Sequence, residues 1–180
     1  LRRMSKRIPY LITALIVTLA AAYLLWIGQE PICKCGDIKL WQGQVVSSEN
    51  SQHISDWYTP SHIIHGFLFF GVLWLVARRL ALGWRLAIAT LIESAWEIVE
   101  NSETVIERYR SVTISLDYYG DSVLNSVCDI LAMTFGFFLA SRLPVWATVT
   151  LALSFEAFTI WMIRDGLALH VLMLVWPLDA

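Results

Sequence analysis

The chain has 180 residues, 57% of them hydrophobic and 16% charged, with nine tryptophans and a formal net charge of −2. That is more apolar surface than a soluble domain of this length needs. The absence of any basic tract argues against nucleic-acid binding.

The apolar residues gather in runs near the roughly 17–25 residues that cross a bilayer as a helix. The first, Tyr10 to Gly28, is longer than a usual signal core. A Trp follows "AAAYLL" where small residues would mark cleavage, so the run reads as a retained first helix. The outer loop that follows, Gln29 to Thr59, is polar, with turn residues at "CGD" and "SSENS" and no helix or strand period. In it, Cys33 and Cys35 of "PICKCG" are expected to act together. An exported loop permits disulfides, although a C-x-C bridge is a tight ring, so pairing with another chain or a redox role is also open. Metal binding by so short a pair alone is weakly supported.

The loop ends in "DWYTPSH", where Trp57 and Tyr58 suit an interfacial aromatic belt. Thr59 is placed to cap the second helix, with Pro60 in its first turn. The remaining long runs are His62 to Ala77, Trp84 to Glu100, Asp121 to Ala140 and Val145 to Ile163. Residues 101–119 form a second outer loop that begins with helical spacing, extends the third helix, and carries Tyr118 and Tyr119 as interface anchors. Leu167 to Trp176 would span only ~15 Å as a helix, too short for a ~30 Å core. It is expected to lie in the interface, re-enter, or pack against the bundle. The expected fold is all-α: one integral-membrane domain, a polytopic bundle of about five spanning helices plus a short C-terminal helix.

Lys and Arg in short loops resist translocation and so set orientation. Arg2, Arg3, Lys6 and Arg7 precede the first run; Arg78, Arg79 and Arg85 lie between the second and third; Arg142 follows the fourth. Placing these segments inside puts eight of the thirteen basic residues in the cytoplasm. The N-terminus is then cytoplasmic, and both long loops face outward.

Glu93, Glu97 and Glu100 in "LIESAWEIVEN" are spaced i, i+4, i+7, a narrow stripe at roughly 100° per residue. Asp121, Asn125 and Asp129 form a second stripe, His62 and His65 lie one turn apart on another helix, and Glu156 sits on the fifth. A mid-membrane charge costs ~2.5–3.5 kcal/mol on insertion scales. These groups are therefore expected to face inward around an outward-open polar pocket, with Arg108 and Arg110 of "ERYR" as the nearest cationic partners.

Two chemistries compete there. Imidazole and carboxylate suit a divalent metal ion such as zinc, with His62, His65, Glu97 and Asp121 as ligands and Glu93 or Glu100 as a base. Metal-free acid–base catalysis by clustered carboxylates is the other. Glu93, Glu100, Arg108, Arg110, Asn125 and Asp129 are the candidate catalytic residues. The plainer roles are Asp121 as a helix N-cap, Asn125 as interhelical glue, Glu100 as a solvated residue, and Glu156 paired with Arg164 or neutral.

With "PICKCGDIKLW", "SQHISDWYTPSHIIHGFLFF", "ESAWEIVENS" and "ISLDYYGDSVLNSVCDILA" in view, the chain resembles an uncharacterised family of multi-pass bacterial inner-membrane proteins of unknown function. The similarity covers roughly residues 30 to 142 and implies an inner-membrane location but no activity. A looser similarity is to VanZ-like membrane proteins. In those a His early in one helix, acids on the next, an Arg in the following loop, then Asp and Asn opening another helix occur in this order. His62 or His65, Glu93 to Glu100, Arg108 or Arg110, and Asp121 with Asn125 match, while "YTPSH" replaces the Asp-Lys that usually precedes the His. Three functions are then in play: an enzyme acting on a lipid or lipid-linked envelope substrate, a proton or metal-ion transporter, and a non-catalytic envelope binding protein.

Overall fold

The computed structural model describes residues 6–112 and 117–176. The topology signals Arg2 and Arg3 lie outside them. Among the described residues seven helices follow in order: α1 (Ile8–Trp26), α2 (Thr59–Val76), α3 (Leu82–Glu100), α4 (Glu103–Val112), α5 (Val123–Ala140), α6 (Val145–Ile163) and α7 (Leu167–Val175). Among the described residues the only β pairing is an isolated bridge between Gln42 and Asp56.

The burial pattern is inverted relative to a water-soluble fold. Leu11, Leu15 and Leu19 of α1 and Trp146, Leu153 and Trp161 of α6 point outward, Trp161 with 77% of its surface exposed. Glu93 and Glu97 of α3 have none exposed. Apolar surface on this scale is not left to water, and here it faces acyl chains. Helices α1, α2, α5 and α6 are each long and apolar enough to cross a membrane. Helix α3 matches α1 and α6 in length but turns its acids inward. The protein is a helical bundle of transmembrane helices.

A core of Ala20, Leu73, Leu86, Ala89, Ile130, Met133 and Phe137 joins α1, α2, α3 and α5. The tightest approach is α2 against α5, where Gly66 lies against the backbone of Met133 and Phe137, and Gly136 against that of Ile63. Neither position has room for a Cβ. Arg85, expected to mark an inner loop, lies inside α3 and stacks its guanidinium on the Phe70 ring, 5.5 Å from the centroid.

The loop between α1 and α2 is fixed without regular structure of its own. Its carbonyls take up the backbone N–H groups that open α5: Ser122 donates to Ser51, Val123 to Glu30 and Leu124 to Pro31. These are donors that a helix start cannot satisfy internally. Gln52 donates to the carbonyl of Gly120 at 2.7 Å, and the Asn125 amide to that of His53 at 2.8 Å. Within the loop Cys33 and Cys35 are joined by a disulfide.

Three local expectations change. Thr59 does not cap α2: its hydroxyl accepts from the backbone N–H of Asp56, and Tyr58 stands at the N-cap with no side-chain cap bond. Asp121 does not cap α5: Ser122 does, accepting from the N–H of Asn125 at 3.1 Å. Instead of extending α3, the second outer loop breaks at Asn101 and Ser102 and starts a separate α4. Helix α7 folds back alongside α4, where Leu174 packs on the cluster of Ile106, Tyr109 and Tyr118. Its N-terminus is held by Glu156, which accepts from the N–H groups of Leu167 and Ala168 at 2.9 and 2.8 Å. Glu156 therefore serves α7, neither pairing with Arg164 nor entering the acid cluster.

Candidate functional site

Helix periodicity brings the polar stripes together. Thr90, Glu93, Ser94 and Glu97 share the buried face of α3, opposite His62 on α2 and Asp129 on α5. Glu93 is the hub for the histidines: its carboxylate accepts from Nδ1 of His62 at 2.8 Å and from Nδ1 of His65 at 3.0 Å. An ionised carboxylate only accepts, so both Nδ1 atoms carry their protons. The His62 Nε2 lies 3.8 Å from an Asp129 carboxylate oxygen, and its Nδ1 lies 3.6 Å from one of Glu97. Both separations are too long for hydrogen bonds.

Glu97 is the anomaly. It is wholly buried, and neither of its carboxylate oxygens has a hydrogen-bond partner; one oxygen of Asp129 shares that condition. Three sets of ligand atoms each lie within 4.8 Å of one another: His62, His65 and Glu93; His62, Glu97 and Asp129; and Glu97, Glu100 and Asp121. The four residues expected to share one ion therefore do not form a single set, with His65 at one end of the chain of contacts and Asp121 at the other. The ion pairs of the cluster are all with histidine. Five carboxylates facing two imidazoles leave excess negative charge that protons or a cation must neutralise. Two ligands ~2.1 Å from one ion lie at most ~4.2 Å apart, and the His62–Asp129 gap fits that limit.

The cluster forms one wall of a narrow cleft with a volume of about 50 Å³. His62, His65, Glu100, Asp121 and Asp129 line it, joined by Asn50 and Ser51 from the α1–α2 loop, Tyr109 and Tyr118, and Leu167 and His170 of α7. Tyr118, expected as an interface anchor, is buried and donates to Asp121 at 3.0 Å. The Tyr109 hydroxyl meets Glu100. Burial, then the charge of Glu100, raises the Tyr109 phenol above its ordinary range; burial, then Asp121, does the same for Tyr118. Both stay neutral donors. Tyr58, also expected in the aromatic belt, donates to Asp165, which in turn meets Nδ1 of His170 at 2.8 Å.

The arginines do not join the acids. Arg108 donates to the carbonyl of Leu174 and lines a neighbouring groove, and Arg110 is exposed. Asn125 is buried but fastens the outer loop and does not line the cleft. Sequence reading missed Tyr109, His170 and Asn101. Asn101 alone left a signal, as the amide four residues after Glu97 on the acidic stripe. Its Nδ2 donates to the Glu97 carbonyl, Asp121 and Ser126, and its Oδ1 accepts from the N–H of Asp121.

Residues 24–180 match a family described as "Protein of unknown function (DUF2585)". A UPF0314 protein of Paracoccus denitrificans is 72% identical over 172 residues, 96% of this chain and 89% of that one. One from Sinorhizobium fredii is 68% identical over 153 residues, 85% of this chain and 78% of its own. One from Sphingopyxis alaskensis is 55% identical over 175 residues, 97% of this chain and 93% of its own. No solved structure matches, and none of these relatives carries the VanZ-like name. Inward-facing acids in a lipid-facing bundle are therefore features of a chain that belongs to the DUF2585 family.

Proposed function

We propose that the chain is a multi-pass enzyme of the bacterial inner membrane, N-terminus cytoplasmic, acting at the exported face on a lipid or lipid-linked envelope substrate by hydrolysis or group transfer. The observation that carries this reading is Glu97: a fully buried carboxylate with both oxygens unpartnered, set behind His62 and Asp129, which line a cleft. That arrangement suits a divalent cation such as zinc, held by His62, Glu97 and Asp129, with Glu93 fixing the ring orientations as an outer carboxylate. The ion would supply Lewis acidity. Glu100 and Asp121 then stand beside it as proton acceptors, and the Tyr109 and Tyr118 hydroxyls as donors.

The cleft shares Trp96 and Val171 with a second groove lined by Val105, Arg108, Leu174 and Val175. A polar head in the cleft and an apolar tail in the groove match this division, with Arg108 suited to a phosphate between them. The VanZ-like order of His, acids, Asp and Asn supports envelope chemistry by arrangement. The alternative of ion or proton transport is disfavoured by Leu86, Ile130, Met133 and Phe137, which pack an apolar plug beneath the acids. A non-catalytic binding role needs no cation.

The test is a deletion strain complemented with wild type, Glu97→Gln or His62→Gln, with envelope lipids profiled by mass spectrometry and metal content measured on the purified proteins. The reading expects about one divalent ion per wild-type chain, its loss in both variants, and lipid profiles that match the deletion. Wild-type lipid profiles in both variants would refute the enzyme.

A further inference from the structure

Away from the cleft, the outer loop gathers a second set of donors. Cys33, Cys35, Glu49 and His53 place ligand atoms within 4.8 Å of one another. Cys33 and His53 are buried, at 3% and 1% exposure, whereas Cys35 is exposed and Glu49 half-buried. The geometry around the sulfurs is that of a formed turn: the Cys35 N–H donates to Cys33 Sγ at 3.2 Å, and Gly36 follows at a φ of +83° that favours glycine. His53 is oriented from both sides. Its Nδ1 accepts from the Lys39 N–H at 3.3 Å, and its Nε2 donates to Glu49 at 2.9 Å. Lys39 also places its ammonium on the same Glu49 carboxylate. A cation thus already sits against this carboxylate, and Lys34 stands between the cysteines.

We propose that these four residues form a redox-gated site for a thiophilic divalent cation of the zinc class, separate from the cleft. Cys33 and Cys35 as thiols provide two soft ligands, Glu49 a carboxylate, and His53 its Nδ1 once the Lys39 N–H bond is given up, a donor set that suits tetrahedral zinc. Ligands of such an ion stand about 3.3–3.8 Å apart, so the two sulfurs must part once their bond is broken, and His53 and Glu49, now 2.9 Å apart, must open slightly to take it. As a disulfide the pair offers no thiolate, and the site is shut. Opening it takes an external dithiol: the Cys33–Cys35 bond breaks, two electrons and two protons pass to the cysteines, and the donor's sulfurs join as its own disulfide. Entry of the cation then displaces the two thiol protons to solvent. Two thiolates and one carboxylate against a dication leave one negative charge, which Lys39 or Lys34 balances.

The site adjoins the cleft through the backbone. The His53 carbonyl accepts from Asn125, while Asn50 and Ser51, in the same short segment, line the cleft. Unstructured loops of this length inside a compact fold are uncommon without a function or an added tie. A cation held between residues 33–35 and 49–53 cross-links the two ends of this one.

The experiment uses the full-length protein in nanodiscs, titrated with Co²⁺ before and after reduction by a phosphine. A thiolate ligand gives an intense near-ultraviolet charge-transfer band that His and carboxylate ligands in the cleft do not. Reduced wild type is expected to gain that band, saturating at one Co²⁺ per chain in the Glu97→Gln variant, and to lose it when Zn²⁺ is added, while oxidised protein shows none. Cys35→Ser should lower the band at least twofold, and Glu49→Gln should weaken Co²⁺ binding about tenfold with the band kept. Glu97→Gln should leave the band unchanged, which separates this site from the one in the cleft. Absence of the band from reduced, folded wild type overturns the proposal, as does Co²⁺ affinity unaffected by both Glu49→Gln and His53→Gln.

Discussion

Gly66→Ala tests the contact that sets the distance between His62 and Asp129. A Cβ built at Gly66 would fall 2.1 Å from the Met133 carbonyl oxygen and 2.5 Å from the Phe137 nitrogen, where ordinary contact begins at 3.4 Å. The obstructing atoms are helix backbone, which cannot swing aside. Helices α2 and α5 must therefore part by about 1.3 Å at this point. Overpacking of this kind costs ~1–3 kcal/mol, and an unyielding partner puts the cost toward the upper end. His62 lies one turn before Gly66, so the parting also stretches its 3.8 Å separation from Asp129 beyond what two ligands of one ion span. Gly71, on the same helix with nothing within 4 Å of its Cβ position, is the control. Its replacement by Ala should be neutral or stabilise by up to ~1 kcal/mol through helix propensity. Thermal unfolding in detergent, followed by tryptophan fluorescence, should show Gly66→Ala well below both wild type and Gly71→Ala, with weaker Zn²⁺ binding. Equal melting of the two alanine variants would refute the close-packed fulcrum.

Glu97→Gln removes a metal-ligating carboxylate without changing shape, so added Zn²⁺ should raise the melting temperature of metal-stripped wild type but not that of the variant; equal gains in both would refute the role of Glu97. Asp56 is buried in the α1–α2 loop, and burial raises its carboxyl above the ordinary range. A raised value stabilises the fold fully below the unfolded carboxylate pKa of ~3.9 and loses that contribution as pH rises through the folded value. In Asp56→Asn the melting temperature should therefore fall less than in wild type as pH is raised through that window; parallel profiles would refute the assignment. Glu156→Ala strips the acceptor from two N–H groups of α7, a loss of ~0.5–2 kcal/mol confined to that helix. Hydrogen exchange should quicken across residues 167–176 while global unfolding barely moves, and unchanged exchange there would refute the cap.

Periodicity made the bundle legible. The five long apolar runs became helices α1, α2, α3, α5 and α6, and inward burial of Glu93 and Glu97 followed from the energetic cost of leaving them in lipid. Spacing places a residue on a face but does not rank its contacts, and that is where reading stopped. Glu93 and Glu97 stand one turn apart, yet one holds two histidines and the other holds none of its hydrogen bonds. Arg108 and Arg110 looked like partners because they were the nearest cations in the chain. The turn at Asn101 and Ser102 redirects α4, and Arg108 goes to α7 instead. Tyr118 was misplaced because an aromatic before a membrane helix serves equally as an anchor or as a buried donor, and the nearby acid decides which. The outer loop was opaque for a different reason: its order comes from single backbone bonds to the start of α5, which leave no periodic trace.

Asn101 links the end of α3, the start of α5 and, through its own carbonyl, Gln29 after α1. It does so as an uncharged group in the middle of an acidic neighbourhood. An aspartate there would have almost the same outline, but it would trade a donor for another repelling oxygen beside Asp121. Slow hydrolysis of this one amide would accordingly remove the Nδ2 bonds that tie the end of α3 to Asp121 and Ser126, an ageing lesion with no change in size and an effect beyond its single unit of charge.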